Sequence, residues 1–544
     1  MLQGLMMQRP LLISQLIDFA AEVYRDRPIV SQTIEGGIHR YTYGDSLKRI
    51  AKLAHALRRI GVKPGDRIAT LAWNGYRHFE LYFAIQGIGA ICHTINPRLS
   101  VEQFNYIVNH AEDSMLFFDT TFTPLIEKLR PGWKPIRHYV AMTDRAHMPS
   151  LEGALCYEEL VAPEADTIEW PTFDENSAAG LCYTSGTTGD PKGALYSHRS
   201  TVLHALFAIA SAQGAFGATR SVLPVVPLFH ANAWGLPYSC TITGSSMIFP
   251  GANLDGERLF DLMDLEQATS SWGVPTVWLG LLAEMKKRGR KPVGLQQVLV
   301  GGSAAPKAMI EIFERDYGVS VMQGWGMTEM SPLGTVGHLL PSEEDLPFEQ
   351  RVELKAKAGR RIFGVDLKIV NEAGNRLPND DTATGELFVR GNAVVAGYFK
   401  NEGASRRAFD KDGWFGTGDV ARLSPIGMLT IVDRTKDLVK SGGEWISSID
   451  VENAAMAHPG IANCAVIGVP HPKWTERPLL IAVKAPGASV SKEDVMKLLD
   501  AKLAKWQLPD EVVFVDALPI GATGKVSKKD LRVAYANFAM PEKE

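Results

Sequence analysis

The segment Tyr183-Thr-Ser-Gly-Thr-Thr-Gly-Asp-Pro-Lys192-Gly193 constrains what this chain can fold into more than any other stretch. It gathers three glycines (Gly186, Gly189, Gly193), four hydroxyl side chains (Thr184, Ser185, Thr187, Thr188) and Lys192. Successive backbone N–H groups of such a loop can wrap a polyphosphate, while the hydroxyls and the cation cover its outer oxygens. A Walker P-loop ends in Gly-Lys-Ser/Thr and opens a helix. Here Pro191 precedes Lys192 and Gly193 follows it, which excludes that reading. An ordinary Gly/Thr turn would not concentrate so many donors.

At 544 residues the chain exceeds what one hydrophobic core usually serves, so two or more domains are expected. Its formal charge of −4 provides no electrostatic footprint for nucleic acid or an anionic membrane. Cys92, Cys156, Cys182, Cys240 and Cys464 are dispersed and lack CxxC spacing. They read as reduced core thiols of a cytoplasmic protein, not staples or zinc ligands. Residues 1–20 lack the unbroken apolar run of a signal peptide. The apolar run Val222–Phe229 is too short to span a bilayer and is broken by Pro224 and Pro227. Peripheral membrane contact stays open.

Helical and strand patterns alternate: helix Leu47–Ile60, strand Ile68–Ala72, helix His78–Gly89, a strand entered at Gly89–Cys92, helix Val101–His110, strand Met115–Phe118. That order predicts an α/β large domain of parallel sheets covered by helices. The polar stretch Pro341–Lys357 reads as an exposed loop or surface helix. A boundary falls near Asp433-Arg-Thr-Lys-Asp437, giving a large domain over 1–434 and a small α+β domain over 435–544. The small domain reads as helix Ile449–Ala457, strands Ala462–Ile467 and Leu479–Val483, a helix capped by Ser491 and Asp494, strand Glu511–Val515 and a final helix.

Further motifs follow: Gln323-Gly-Trp-Gly-Met-Thr-Glu329, Thr417-Gly-Asp419, Asp433-Arg434, Ser441-Gly-Gly-Glu-Trp445 and Gly521-Ala-Thr-Gly-Lys525. In that order, after the loop at 183–193, they resemble the adenylate-forming superfamily of acyl-CoA synthetases, luciferases and peptide-synthetase adenylation domains. The resemblance covers nearly the whole chain and implies that superfamily's two-domain architecture. It also implies a ligase that activates a carboxylic acid with ATP and passes it to coenzyme A.

The chemistry explains the residue types. Oxide cannot leave a carboxylate, so the acid is first joined to the α-phosphate of ATP, making AMP the later leaving group. Two anions meet in that step, and positive charge must be focused where negative charge gathers. By resemblance, Thr184, Ser185, Gly186, Thr187, Thr188, Gly189 and Lys192 hold the phosphates. Gly302, Ser303, Ala304, Gln323, Gly324, Trp325, Gly326 and Thr328 surround the nucleotide. Thr184 and Glu329 serve a magnesium ion, although Glu329 could also be a surface acid at a helix end. Asp419 can accept from ribose hydroxyls and Arg434 can donate a planar fork to sugar or phosphate; a structural Asp–Arg pair would fit the same residues. Lys525 occupies the catalytic-lysine position, bridging carboxylate and α-phosphate. Lys528 and Lys529 read as solvated charges.

The segment Val225-Val-Pro-Leu-Phe-His230-Ala-Asn-Ala-Trp234 resembles the superfamily's histidine motif. His230 is either a substrate contact or a satisfied core histidine. Trp234 is either a gate on the acyl tunnel or core filling. Gly301, Gly302 and Trp278 are placed on the acyl side, with core packing favoured for Trp272. Lys436 matches a hinge position. Lys440, Ser441, Gly442, Gly443, Glu444 and Trp445 are placed along the CoA approach.

The chain most resembles bacterial medium- and long-chain fatty acyl-CoA synthetases and 3-methylmercaptopropionate-CoA ligases, which local motifs do not separate. An adenylation module would need a separate carrier protein, since only nineteen residues follow Lys525. Homodimerisation is left open by analogy alone.

Overall fold

The computed structural model describes residues 1–184, 190–441, 444–521 and 525–538. Helix Tyr43–Arg59 shows how local sequence sets an element. Thr42 and Asp45 exchange side-chain and backbone bonds in a capping box, and Ile50, Leu53, Ala54 and Leu57 are buried at helical spacing. The next helix, Tyr76–Gly87, is buried at every position. A helix apolar or paired all round belongs inside a protein. Its charges are accordingly matched: Glu80 takes Arg49 at 2.7 Å and the Tyr157 hydroxyl at 2.6 Å, and Arg77 reaches Glu35 at 2.7 Å.

Two large sheets enclose this region. One has seven strands in the order Leu155–Cys156, His138–Ala141, Asp113–Phe118, Arg67–Leu71, Ile91–Thr94, Ala178–Thr184, Lys192–Ser197, parallel except for the last pair. The expected βαβα alternation is realised here. His93 and Asp113, both fully buried, are joined by a 2.8 Å bond although the strand Arg67–Leu71 lies between theirs in the sheet. The second sheet has a parallel half, including Pro28–Gln32, Ser246–Phe249, Ser221–Pro224, Ser270–Gly273, Gln297–Gly301 and Ser320–Gly326.

From Leu333–Val336 onward that sheet turns antiparallel, through Gly359–Arg361, Met428–Arg434, Phe415–Leu423, Gly385–Gly391 and Val365–Val370. The parallel reading does not extend there, because short connections can return a chain beside itself without a crossover helix. The stretch expected as exposed loop or surface helix forms two short helices, Pro341–Glu344 and Phe348–Lys355, with Val352 buried beneath the second.

The smaller C-terminal domain is built on the hairpin Ile461–His471 and Thr475–Lys484, beside which Glu511–Phe514 runs parallel. Helices Ser448–Met456, Lys492–Asp500 and Lys528–Ala534 pack around it, the second capped by Ser491 and Asp494 as expected. The five cysteines are buried and unpaired. Among the described residues no helix is long and apolar enough to cross a membrane.

Candidate active site

The site forms where the parallel strands end, the antiparallel strands begin and the small domain docks. Strand Ala178–Thr184 delivers Thr184 to its last position, opposite Lys192 on the returning strand. The intervening Ser185, Gly186, Thr187, Thr188 and Gly189 lie outside the described residues, as do Gly442 and Gly443. Lys192 lays its ammonium 5.1 Å from the centre of the Tyr398 ring. The Tyr398 hydroxyl donates to Glu329 Oε1 at 2.8 Å. Burial pushes the Glu329 carboxyl up, opposed by that hydrogen bond and by the charges of Arg434 and Lys192. Glu329 is only 6 % exposed, so the surface-acid alternative is excluded. Tyr196 donates to the Thr328 carbonyl at 2.6 Å and fixes this short segment from below.

Asp419 and Arg434 face each other in register on adjacent strands. Arg434 Nε lies 2.8 Å from Asp419 Oδ1, and the Trp325 indole donates to Oδ2 at 3.0 Å. Each carboxylate oxygen therefore has one donor in place and a second lone pair to offer. Gln323 accepts from the Ala305 N–H at 3.0 Å, fixing the turn that carries Ser303 and Ala304. Gly324 pairs with Gly301 across the parallel strands, and Gly326 sits at a register shift in the same strand.

Two glycines are required by what approaches them. At Gly301 a Cβ would lie 2.7 Å from the edge of the Trp234 indole. At Gly302, where φ is +84°, a Cβ would lie 3.0 Å from Lys525 Cε. Lys525 thus reaches from the small domain into the site. Burial and the neighbouring charges of Arg434 and Lys436 bring its ammonium down to about 8, against the pull of Asp419. Burial, with the charge of Lys525, brings His230 down to about 4, so its imidazole is neutral at pH 7.

Trp234 is carried by an unusual turn: Ala231, Asn232, Ala233 and Trp234 have φ of 44°, 54°, 48° and 57°. This left-handed run rests on His204, whose ring would be 2.8 Å from a Cβ at Gly235 and which accepts the Leu333 N–H at 3.0 Å. Trp278 is fully buried in a separate apolar core, its indole donating to the Gly273 carbonyl at 3.2 Å. The sequence reading placed it on the acyl side, and the structure packs it in that core. Trp272 is likewise fully buried, stacked at a tilt on Phe216.

The hairpin Val439–Ser441 and Glu444–Ile446 pairs Lys440 with Trp445, the ammonium 4.9 Å from the indole centre. Glu444 and Trp445 are exposed. Ser441 points inward and accepts from Arg477 at 2.8 Å, which makes its hydroxyl a structural anchor. Lys436 is exposed, within reach of the charges of Asp437 and Arg434. Lys528 corrects the sequence reading: it is no solvated charge but a partner of Glu452, 2.7 Å away, and of Ser448. Tyr398, Tyr196, His204 and Arg477 carried no sequence signal, because the partners just named for them lie 36 or more residues away.

For magnesium, the fit is to a cation that takes most of its ligands from phosphate. Among the described residues no group of three His, Cys, Asp or Glu is placed to hold a metal, and Glu329 supplies a single buried carboxylate within reach of the charge of Lys192.

Residues 17–399 match the AMP-binding enzyme family and residues 450–525 its C-terminal domain. The 3-methylmercaptopropionyl-CoA ligase of Ruegeria lacuscaerulensis is 50 % identical over 97 % of this chain and 98 % of its own length. The medium-chain-fatty-acid–CoA ligase of Ectopseudomonas oleovorans is 45 % identical over 99 % and 98 %. The crystal structure of the anthranilate CoA ligase AuaEII with anthranoyl-AMP shares the fold at a TM-score of 0.86 and 23 % identity, covering 97 % of this chain and 98 % of that one. With its large and small parts both matched, the chain belongs to the AMP-binding enzyme family.

Proposed function

We propose that the protein is an AMP-forming acyl-CoA synthetase acting on a medium- or long-chain fatty acid. The observation that carries this reading is the position of Lys525, held over Gly302 and within reach of the charges of Asp419 and Arg434. A lysine brought there from the second domain answers the problem of joining two anions. The carboxylate oxygen attacks the α-phosphorus, pyrophosphate leaves, and Lys525 screens the charge that gathers between them. Asp419 and Arg434 orient the ribose. In the second step the thiol sulfur of CoA, losing its proton, attacks the acyl carbon and AMP leaves.

Glu329, with Thr184, would hold magnesium, which when bound draws charge from the phosphate oxygens. The exposed pair Lys440 and Trp445 is suited to line the thiol's approach. Lys436 would be the pivot between the domain 1–434 and the domain 435–544. His230, neutral, can accept or donate one hydrogen bond at the acyl carboxylate, and Trp234 would gate the acyl tunnel.

The methylthio acid is the specific alternative, supported by the similarity to the Ruegeria enzyme. Both acids would be separated by following pyrophosphate and AMP with and without CoA, using fatty acids of graded length beside 3-methylthiopropionate. The expected result is acid-dependent pyrophosphate in the absence of CoA, CoA-dependent AMP turnover, and the highest kcat/KM on a fatty acid. A higher value for the methylthio acid would transfer the assignment to it, and AMP turnover indifferent to CoA would overturn the synthetase reading.

A further inference from the structure

Asp433 and Arg434 are consecutive on strand Met428–Arg434, so their side chains point to opposite faces. Arg434 turns to Asp419 and the nucleotide side. Asp433, 1 % exposed, turns to the small domain. Its Oδ1 accepts the Arg434 N–H at 2.7 Å, and its Oδ2 accepts both the N–H and the hydroxyl of Ser448 at 2.6 Å. The Ser448 oxygen in turn accepts from Lys528, which also pairs with Glu452 at 2.7 Å. Glu452 Oε1 is fixed by the Val466 N–H at 2.8 Å. Beside this relay the Ser447 hydroxyl donates to the Val432 carbonyl at 2.6 Å.

Lys528 stands three residues beyond Lys525. The intervening chain is tied back on itself by Gly521 N–H to the Lys525 carbonyl at 2.7 Å and Ser527 N–H to the Pro519 carbonyl at 2.8 Å. The foot of the Lys525 loop is therefore fastened, through Lys528 and Ser448, to the residue adjacent to Arg434. Burial alone would lower the Lys528 ammonium, and the carboxylates of Glu452 and Asp433 more than offset it, holding it above its ordinary value.

We propose that Asp433 is a positioning residue which, through Ser448 and Lys528, seats Lys525 in the nucleotide site for acyl-adenylate formation and lets go when the small domain turns toward CoA. The inference rests on the synthetase reading above. Asp433 precedes Lys436 in the chain, while Ser448, Glu452 and Lys528 follow it. Any rotation about Lys436 that carries the small domain away must separate Ser448 from Asp433. On this proposal the bond belongs to the docking seen here, in which both Ser448 groups reach Asp433.

The test measures each half-reaction separately in the full-length enzyme: pyrophosphate release without CoA, and acyl transfer from pre-formed acyl-adenylate. Asp433→Asn keeps the shape and removes the charge. It should slow acyl-adenylate formation about 10- to 100-fold, as misplacement of a reacting group does, while transfer to CoA is unchanged or faster. Ser448→Ala interrupts the relay without leaving an unpaired carboxylate beside a lysine, and should give the same split to a smaller degree. It decides the matter if Asp433→Asn does not fold. Equal loss in both half-reactions, or no loss in either, in variants that melt like the parent would overturn the positioning role. A parent enzyme that releases no pyrophosphate with any acid would overturn the synthetase reading itself, and this role with it.

Discussion

The ammonium of Lys525 is charged only below the value its surroundings impose, and that value lies near the working range. Burial with Arg434 and Lys436 brings it down to about 8. Below this the lysine is the cation the first step needs, and above it the charge is lost. In the free enzyme kcat/KM for acyl-adenylate formation should therefore fall as pH rises through about 8. Lys525→Arg keeps a charge that does not titrate there, and should remove the fall at some loss of rate. A profile identical in both proteins would place the titration elsewhere. Lys525→Ala should slow adenylation by about 10²–10⁴-fold, on the scale of lost electrostatic stabilisation. Transfer from pre-made adenylate should survive, and parallel measurement of the two steps would show it. Lys525 and Lys528 look alike in a basic stretch, and a motif distinguishes only the first. What makes Lys528 a half-buried partner is Glu452, 76 residues earlier in the chain and brought close by folding alone.

At the scale of the element, the turn Ala231–Trp234 is where sequence patterns run out. Each left-handed L-residue costs about 1–2 kcal/mol, and no propensity scale would place four there in succession. The conformation holds because its surroundings fix it: Asn232 accepts from Tyr82 at 3.2 Å, His204 lies beneath Gly235, and the Trp234 indole abuts Gly301. As a gate, Trp234→Ala should change the dependence of kcat/KM on acyl length while the protein melts nearly as before. A simple packing residue would instead lose about 3–5 kcal/mol with the length profile unaltered. Gly301→Ala tests the same contact from the other side. Its Cβ would meet the indole at 2.7 Å, so the ring must shift and the length profile with it. Melting curves beside an acid-length series, run on both variants, would separate gating from filling.

At the scale of the whole molecule, one small domain carries both Lys525, which must reach the phosphate, and Trp445, which lies exposed on a hairpin at the opposite end of that domain's sequence. A single docking is ill suited to both steps, so a few junction residues should absorb a rotation. Lys436→Pro would fix φ near −65° and remove one N–H. The variant should still form acyl-AMP and release pyrophosphate but transfer to CoA much more slowly, as single-turnover measurements would show. Full turnover with both steps intact would remove Lys436 as the pivot. The sequence by itself determined the repeated strand–helix units, the capped helices and the identity of the motif residues, because periodicity, caps and short spacings are local. Tertiary structure alone decided that residues 333–434 return antiparallel, that Tyr398 holds Glu329 and that Asp433 meets Ser448. Each of those depends on contacts between distant segments, where burial and pairing override what any neighbouring residues prefer.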